Sequence, residues 1–472
     1  MPVAWGEITA EEILASIKGR RLAGNLQNIF RGVCTDSRKI QPGELFWALQ
    51  GDRFDGHDFA FKSIESGAAG VVVKEGFSIE ISNVEDSVII AVDDTLRALG
   101  DLAEWWRRQH DVRVVAITGS AGKTTTKEMT ADILKMGGRT LRNQGNFNNL
   151  IGLPLTLLQL DHSYSNAVVE MGMNRPGEIG RLTEIANPDV GVLTNVGMAH
   201  FEGFGNLEGV ARAKGELIEK ISSKGRVIIN GDDHRLMEMS ALFKRKMVTF
   251  GLLKENQVRA CSIQNIGWEG VSFDLEYDGD VWPVTLKVPG IQNVSNALAA
   301  AAVGFCMGGT PEHIVEGLEG FAGIKGRFMV IPLPGDLLLV DDTYNANPSS
   351  LKAAIESLKD LLHGGKRIIV GLGEMLELGD AAVQAHYEAG KKVAELNPRL
   401  FAVMGEHAGD MIAGAVKGGM EPGRGLVVAD HDEMIMEVEK KMQGGDVVFL
   451  KGSRRMGLDK VVDGIRSLWP EG

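Results

Sequence analysis

Cysteine is scarce in this chain: three residues, Cys34, Cys261 and Cys306, stand among 472. Their wide spacing offers neither a disulfide framework nor a metal-ligand motif, so they read as free, buried thiols of a reducing compartment. Basic charge is in deficit too, with 50 Lys and Arg against 63 Asp and Glu and a net charge of −13. An acidic surface repels nucleic acid and anionic membranes, so neither is expected as a partner, although a small anionic substrate is not excluded. No apolar run approaches the ~18 residues that a membrane helix needs. The first residues, MPVAWGEITAEEIL, carry no basic segment before a long apolar core, and no secretory signal is expected. Internal repeats and low-complexity segments are absent. A soluble, cytoplasmic protein is the expectation.

What is present is a long alternation of short apolar runs with helical patterns. At a prior of ~150 residues per domain, the length predicts about three domains. The runs VRVVAITG, NAVVEMG, VGVLTNVG, RVIING and MVTFG occupy the middle of the chain, and LLLVDDT, KRIIVGLG, LFAVMG, GLVVAD and DVVFLKG follow later. Near-continuous Val and Ile strands between helices predict parallel sheets covered on both faces. Ligands bind at the carboxyl ends of such strands. A helix over 94–110 closes a first segment, and the glycine-rich stretch 317–328 marks a second break. The domains predicted are 1–110, 111–325 and 326–472. Alternation between 258 and 290 predicts an antiparallel hairpin pair near the end of the middle domain.

The segment TGSAGKTTTKE (118–128) lies between an apolar strand and a helix reading Lys123 to Met136. An ordinary P-loop carries a glycine separated by four residues from its Gly-Lys pair. Here that place is Ile117, and the nearest glycine is Gly119. Strand, glycine turn and helix start are nonetheless the context of a phosphate cradle. Gly119 and Gly122 can turn N–H groups towards an anion, and the helix dipole adds positive potential. Lys123 would reach the β and γ phosphates and Thr124 would offer a hydroxyl to Mg²⁺. A threonine-capped glycine turn is the plainer reading.

Two strand ends downstream carry candidate metal ligands, Glu170 in VVEMG and His200 in TNVGMAHFEG. Each alone reads as a solvated rim residue or a satisfied histidine; on successive strands of one sheet they form a candidate pair. Asp341 and Asp342, ending LLLVDD, face the nucleotide from another domain or cap a helix starting near Pro348.

Taken in order, TDSRKIQPGELFWALQG with FDGHDF, TGSAGKTTTKE, GNFNNLIGLPLTLL, VVEMGMNRPGEI, TNVGMAHFEGFG with ARAKGEL, NVSNALAAAA, GRF, DDTYNANPSS and LKGSR resemble the Mur ligases. The resemblance spans all three segments. It implies an α/β fold of three domains: a smaller N-terminal one, a central parallel-sheet ATPase domain and a C-terminal Rossmann-like domain. The activity implied is ATP- and Mg²⁺-dependent joining of D-alanyl-D-alanine to UDP-N-acetylmuramoyl-tripeptide through an acyl phosphate, by a monomer. The resemblance makes Gly119, Ser120, Ala121, Gly122, Lys123, Thr124 and Thr125 the ATP cradle. It gives Thr124, Glu170 and His200 to Mg²⁺, and it likens Lys214, in ARAKGEL, to the family's N-carbamoylated lysine near the metal. An ordinary surface lysine, titrating near ~10.4, is the alternative for Lys214. Asn293 and Asn296 resemble adenine-side contacts, Asn293 alternatively capping its helix. Arg327 at the hinge, with Asp342, Tyr344 and Asn345, resembles the contacts that reach ATP from the third domain. Ser37 and Arg38 resemble the uridine end of the site, Ser37 alternatively being a turn residue before Pro42. Asn146, Asn148 and Asn149 line the path to the peptide, and Lys451, Ser453 and Arg454 face the closing cleft. VGLGEMLELG departs from the family in carrying Glu374 where aspartate is common.

Within the same family the alternative is addition of meso-diaminopimelate or lysine, which DDTYNANP and GNFNNLIGLP disfavour. A folylpolyglutamate synthase lacks the DSR segment. From another class, a non-catalytic ATP-gated binding protein would release no ADP in response to an acceptor amine.

Overall fold

The computed structural model describes Trp5, residues 8–51, 53–77, 87–197, Phe204, 206–362 and 365–469. Among them, four sheets order the chain. Ile8–Thr9 pairs with Ile29–Phe30 in a small ribbon. A five-stranded sheet follows, in the order Arg20–Ala23, Val88–Val92, Gly70–Lys74, Leu45–Trp47, Val33–Cys34. The nine-stranded central sheet runs Asp280–Leu286, Val271–Tyr277, Val258–Asn265, Met247–Gly251, Arg226–Asn230, Val190–Leu193, Arg113–Thr118, Asn166–Glu170, Thr140–Arg142. A six-stranded sheet holds Met329–Leu333, Leu337–Asp342, Val447–Lys451, Ile368–Gly373, Leu400–Met404 and Gly425–Val427.

The apolar runs form strands because both of their faces are covered. Along Arg113–Thr118, Val114 and Ala116 join the core beneath the helices Thr95–Arg108, Glu178–Ala186 and Leu207–Lys220. Val115 and Ile117 join the opposite core, against Lys123–Leu134 and Ile291–Cys306. The third sheet is double-faced in the same way, Val370 on one side and Ile369 on the other.

The expectation of parallel sheets is corrected at two edges. Arg20–Ala23 lies antiparallel to Val88–Val92, and Met329–Leu333 lies antiparallel to Leu337–Asp342. The second arises because the intervening turn, with Gly335 and Asp336 at positive φ, is too short for the crossover that a parallel pair requires. The predicted hairpin pair is present as three antiparallel strands, and it extends the central sheet through a parallel pairing of Val258 with Phe250. The three cysteines are free but half-buried rather than buried. Among the described residues, no helix is long and apolar enough to cross a membrane.

Candidate functional site

The strand Arg113–Thr118 lies near the middle of its sheet and ends in the glycine turn. Both glycines are dictated by contact. A Cβ on Gly119 would overlap Thr194 Oγ1, and one on Gly122, at φ 80°, would overlap Asn296 Oδ1. The turn is braced by the end of the neighbouring strand. Ser120 N–H donates to Asn195 O at 3.1 Å, and Ala121 N–H donates to Asn195 Oδ1 at 2.8 Å. Thr194 Oγ1 donates to Ala121 O at 2.6 Å, and Ser120 Oγ donates to Gly197 O at 3.0 Å. The N–H groups of Ser120 and Ala121, expected to face phosphate, are therefore committed to Asn195. The donors that remain begin at the helix start, where the first-turn N–H groups of Lys123–Leu134 have no partner within the helix and no side chain caps them, the kind of end that suits an anion. Thr194 and Asn195 were not singled out in the sequence. The polar pair directly after an apolar strand end was the available signal.

Lys123 Nζ donates to Gly119 O at 2.8 Å. Burial pushes its pKa down, with Arg327 adding to that and Glu170 opposing it. Thr124 Oγ1 donates to Glu170 Oε2 at 2.8 Å and accepts from Arg327 Nη2 at 3.0 Å. Asn148 Nδ2 donates to the other oxygen, Glu170 Oε1, at 2.8 Å. Burial works against ionisation of Glu170, which is 3% exposed. Lys123, Arg327 and Lys127 outweigh it and hold the carboxyl below its usual value. A buried carboxylate, a hydroxyl and two cations thus converge beside the glycine turn.

These groups open into a cleft of about 640 Å³ between the central and third sheets, within the range of small-molecule sites. Ser120, Ala121, Gly122, Lys123, Thr124 and Thr125 form one wall, together with Asn146, Asn148, Asn149, Asn293 and Asn296. Arg327, Asp342, Tyr344, Asn345, Lys451 and Arg454 form the other. Arg327 and Arg454 lie over the Tyr344 ring, 4.1 and 5.6 Å from its centroid, as cation–π partners. Arg327 Nε is buried without a hydrogen-bond partner.

Several expectations are corrected here. The helix beginning at Pro348 is capped by Asn347, not by Asp341 or Asp342. Asp341 instead accepts from Gly326 N–H at 2.9 Å, and Asp342 accepts from Lys451 Nζ at 2.6 Å and Phe328 N–H at 3.1 Å. Burial raises the Asp342 pKa and lowers that of Lys451, each opposing the other's shift. Asn293 is not an N-cap either: Gly290 holds that place, while Asn293 Nδ2 donates back to Pro289 O at 2.8 Å. Ser453 faces away from the cleft. It accepts from Leu376 N–H, donates to Ala346 O, and is buried behind the wall. Gly119 likewise does not line the cleft; its carbonyl serves Lys123. Glu374 stays outside it, accepting from Glu406 N–H.

Lys214 is a buried residue of the helix Leu207–Lys220, not a surface lysine. Burial holds its pKa well below the usual lysine value, and the charge of Lys123 adds to the effect. It does not line the cleft. Ser37 and Arg38 lie in a turn after Val33–Cys34, apart from the cleft. There Arg38 grips Asp36 through two 2.8 Å bonds, holding that carboxyl down at about 2. His200 lies outside the described residues.

Three family models match along the chain. Residues 29–107 match the Mur ligase family catalytic domain, 117–304 the Mur ligase middle domain, and 326–454 the Mur ligase glutamate ligase domain. The chain is 37% identical to the UDP-N-acetylmuramoyl-tripeptide–D-alanyl-D-alanine ligase of Escherichia coli, covering 91% of this chain and 92% of that one. The crystal structure of MurF from Acinetobacter baumannii superposes with a TM-score of 0.89 at 32% identity, over 99% and 100% of the two chains. That of MurF from Thermotoga maritima in complex with ADP gives 0.81 at 28% identity, over 92% and 97%. A compact glycine turn, three α/β sheets and sequence likeness along nearly the whole length agree, and the chain belongs to the Mur ligase family.

Proposed function

We propose that this protein is an ATP-dependent ligase that joins D-alanyl-D-alanine to UDP-N-acetylmuramoyl-tripeptide, releasing ADP and phosphate, in the cytoplasm and as a monomer. The observation that carries the reading is the Thr124–Glu170 hydrogen bond beside the glycine turn, in a cleft whose opposite wall comes from the third sheet. That arrangement suits a reaction that must bring a triphosphate and a carboxylate together.

The tripeptide carboxylate attacks the γ-phosphorus in line, the bond to the β-γ bridging oxygen breaks, and ADP leaves. The neutral dipeptide amine then attacks the acyl phosphate carbonyl, its nitrogen gives up a proton to a base or water, the tetrahedral adduct collapses with cleavage of the bond from the acyl carbon to the phosphate oxygen, and inorganic phosphate departs. The chain contributes alignment and charge. Lys123 and the helix start hold the phosphates, Arg327 adds positive charge from the hinge, and Asn146, Asn148 and Asn149 orient the peptide. Asn293 and Asn296 border the adenine side; Asp342, Tyr344, Asn345, Lys451 and Arg454 close the other wall, with the incoming dipeptide on that side. Ser37 and Arg38 take the uridine end. Apposition of the two walls excludes water from a hydrolysable intermediate.

Thr124 and Glu170 present hydroxyl and carboxylate oxygens, donors that suit Mg²⁺, a cation that binds through one or two carboxylates and leaves the rest to phosphate and water. Bound there, with His200 as a further ligand, Mg²⁺ would neutralise charge between phosphate and carboxylate. A neutral amine is the form of lysine that adds CO₂, releasing one proton, and the buried Lys214 favours that form.

The test is phosphate release across a panel of UDP-muramoyl peptides and acceptor amines, D-alanyl-D-alanine, lysine and meso-diaminopimelate included. D-alanyl-D-alanine is expected to be the preferred acceptor. In the Lys123→Ala variant, ADP formation should fall at least ~10³-fold while the UDP precursor still binds. Turnover near that of the unaltered protein would overturn the role of the glycine turn.

A further inference from the structure

Glu170 is held from both ends. Its carboxylate contacts Thr124 and Asn148, whereas its backbone is gripped by a single buried amide, Asn143, which is 1% exposed. Asn143 Oδ1 accepts from Glu170 N–H at 2.9 Å, and Asn143 Nδ2 donates to Glu170 O at 3.1 Å and to Phe147 O at 2.9 Å. The short strand Thr140–Arg142 ends its pairing with Arg142 opposite Val168. The Asn143 side chain adds one more rung beyond that point.

The Asn143 carbonyl in turn accepts from Lys127 Nζ at 2.5 Å. Lys127 is buried on the phosphate-turn helix, one turn beyond Lys123, and its charge is matched by Glu128 at 2.9 Å. Gly172 N–H donates to Asn148 O at 2.8 Å, closing the circuit. Helix, asparagine turn and strand end are thereby tied into one unit.

We propose that Asn143, seconded by Lys127, is a positioning residue of the ligase reaction: it holds Glu170 and the turn bearing Asn146, Asn148 and Asn149 in register with the phosphate turn. The proposal rests on the ligase reading for its kinetic consequence but not for its structural one. An amide that satisfies both backbone groups of one residue has no substitute of another shape, and a misplacement of about 1 Å at such a site costs on the order of 100-fold in rate.

The experiment measures steady-state kinetics and amide hydrogen exchange of the full-length protein and its Asn143→Ala, Asn143→Asp, Lys127→Met and Lys127→Arg variants. Asn143→Ala should lower kcat about 100-fold and raise KM for the UDP precursor about 10-fold, leaving KM for D-alanyl-D-alanine within twofold. Asn143→Asp, which keeps the acceptor but loses both donated bonds, should fall between. Lys127→Met should lower kcat in the same direction, with Lys127→Arg recovering most of it. Combining Asn143→Ala with Lys127→Met should cost little beyond Asn143→Ala alone, because both act through one turn. Exchange at residues 144–149 and 171–172 should quicken at least tenfold in Asn143→Ala, whatever the substrate proves to be. Unchanged exchange there overturns the proposal, as does unaltered kcat per active site with loss only of folded protein. Failure of the unaltered protein to turn over any precursor, with exchange quickened as expected, instead overturns the ligase reading alone.

Discussion

At the scale of single residues, the site is governed by how many charges share a small, poorly hydrated volume. Lys123, Arg327 and Lys127 surround one buried carboxylate, Glu170, and their summed field outweighs its desolvation. Lys214 is also buried, and its strongest resolved charge interaction is repulsion from Lys123. Conversion of its amine to a carbamate would replace that repulsion with attraction. Lys214→Ala is therefore expected to lose at least ~10-fold in phosphate release, with partial recovery when short carboxylic acids are added. Full activity without added acid would remove the carbamate from the mechanism. The glycine turn and Glu170 were legible in the sequence because strand, Gly-Lys pair and strand-end acid are local patterns. The commitment of the Ser120 and Ala121 N–H groups to Asn195 was not, since the partner lies 74 residues from Ala121.

At the scale of elements, the cleft wall built by the third sheet is set by two adjacent strand ends. Leu337–Asp342 and Val447–Lys451 run parallel, with Asp342 opposite Lys451, and the pair is nearly dry, the side chains 12% and 2% exposed. Removing one partner leaves a buried charge without compensation, at a cost of about 3–5 kcal/mol. Lys451→Met should destabilise the fold by that order in denaturant titrations at neutral pH. Burial already raises the Asp342 pKa, and loss of the lysine raises it further. The unfolded chain then releases a proton that the folded one keeps, so the variant's deficit should grow as pH rises above the ordinary aspartate pKa of about 3.9 and shrink towards acid. A deficit independent of pH would refute the pairing. The sequence led to Asp342 and Lys451 as separate candidates; their partnership depends on strand order, which brings residues 109 apart in sequence into contact.

At the scale of the whole molecule, the N-terminal and central sheets share one hydrophobic core. Trp5, Trp47 and Leu102 pack in the same cluster as Leu153, Leu182 and Leu217. Trp5 Nε1 and Trp106 Nε1 donate to Leu158 O and Leu160 O at 2.9 and 3.1 Å, and the buried Arg107 reaches Ala186 O at 3.1 Å. The third sheet has its own two cores. Native-state hydrogen exchange should therefore find Val88–Val92 and Arg113–Thr118 opening together, within about 1 kcal/mol, and Ile368–Gly373 opening separately. Exchange of Val88–Val92 as a unit independent of Arg113–Thr118 would contradict a common core. Val88–Val92 and Arg113–Thr118 belong to different sheets, but nothing in local composition signals that the two sheets bury their side chains against each other.

The sequence by itself determined the α/β class, the glycine turn with its helix, the strand-end acids and the likeness to a ligase family, because these depend on patterns within a few residues. Tertiary structure alone decided which N–H groups remain for an anion, that Ser453 turns inward, that Asp342 pairs with Lys451, and that Asn143 holds Glu170. Each of those outcomes is a contact between distant segments, made obligatory by the need of buried polar groups for a partner, and no local pattern specifies the partner.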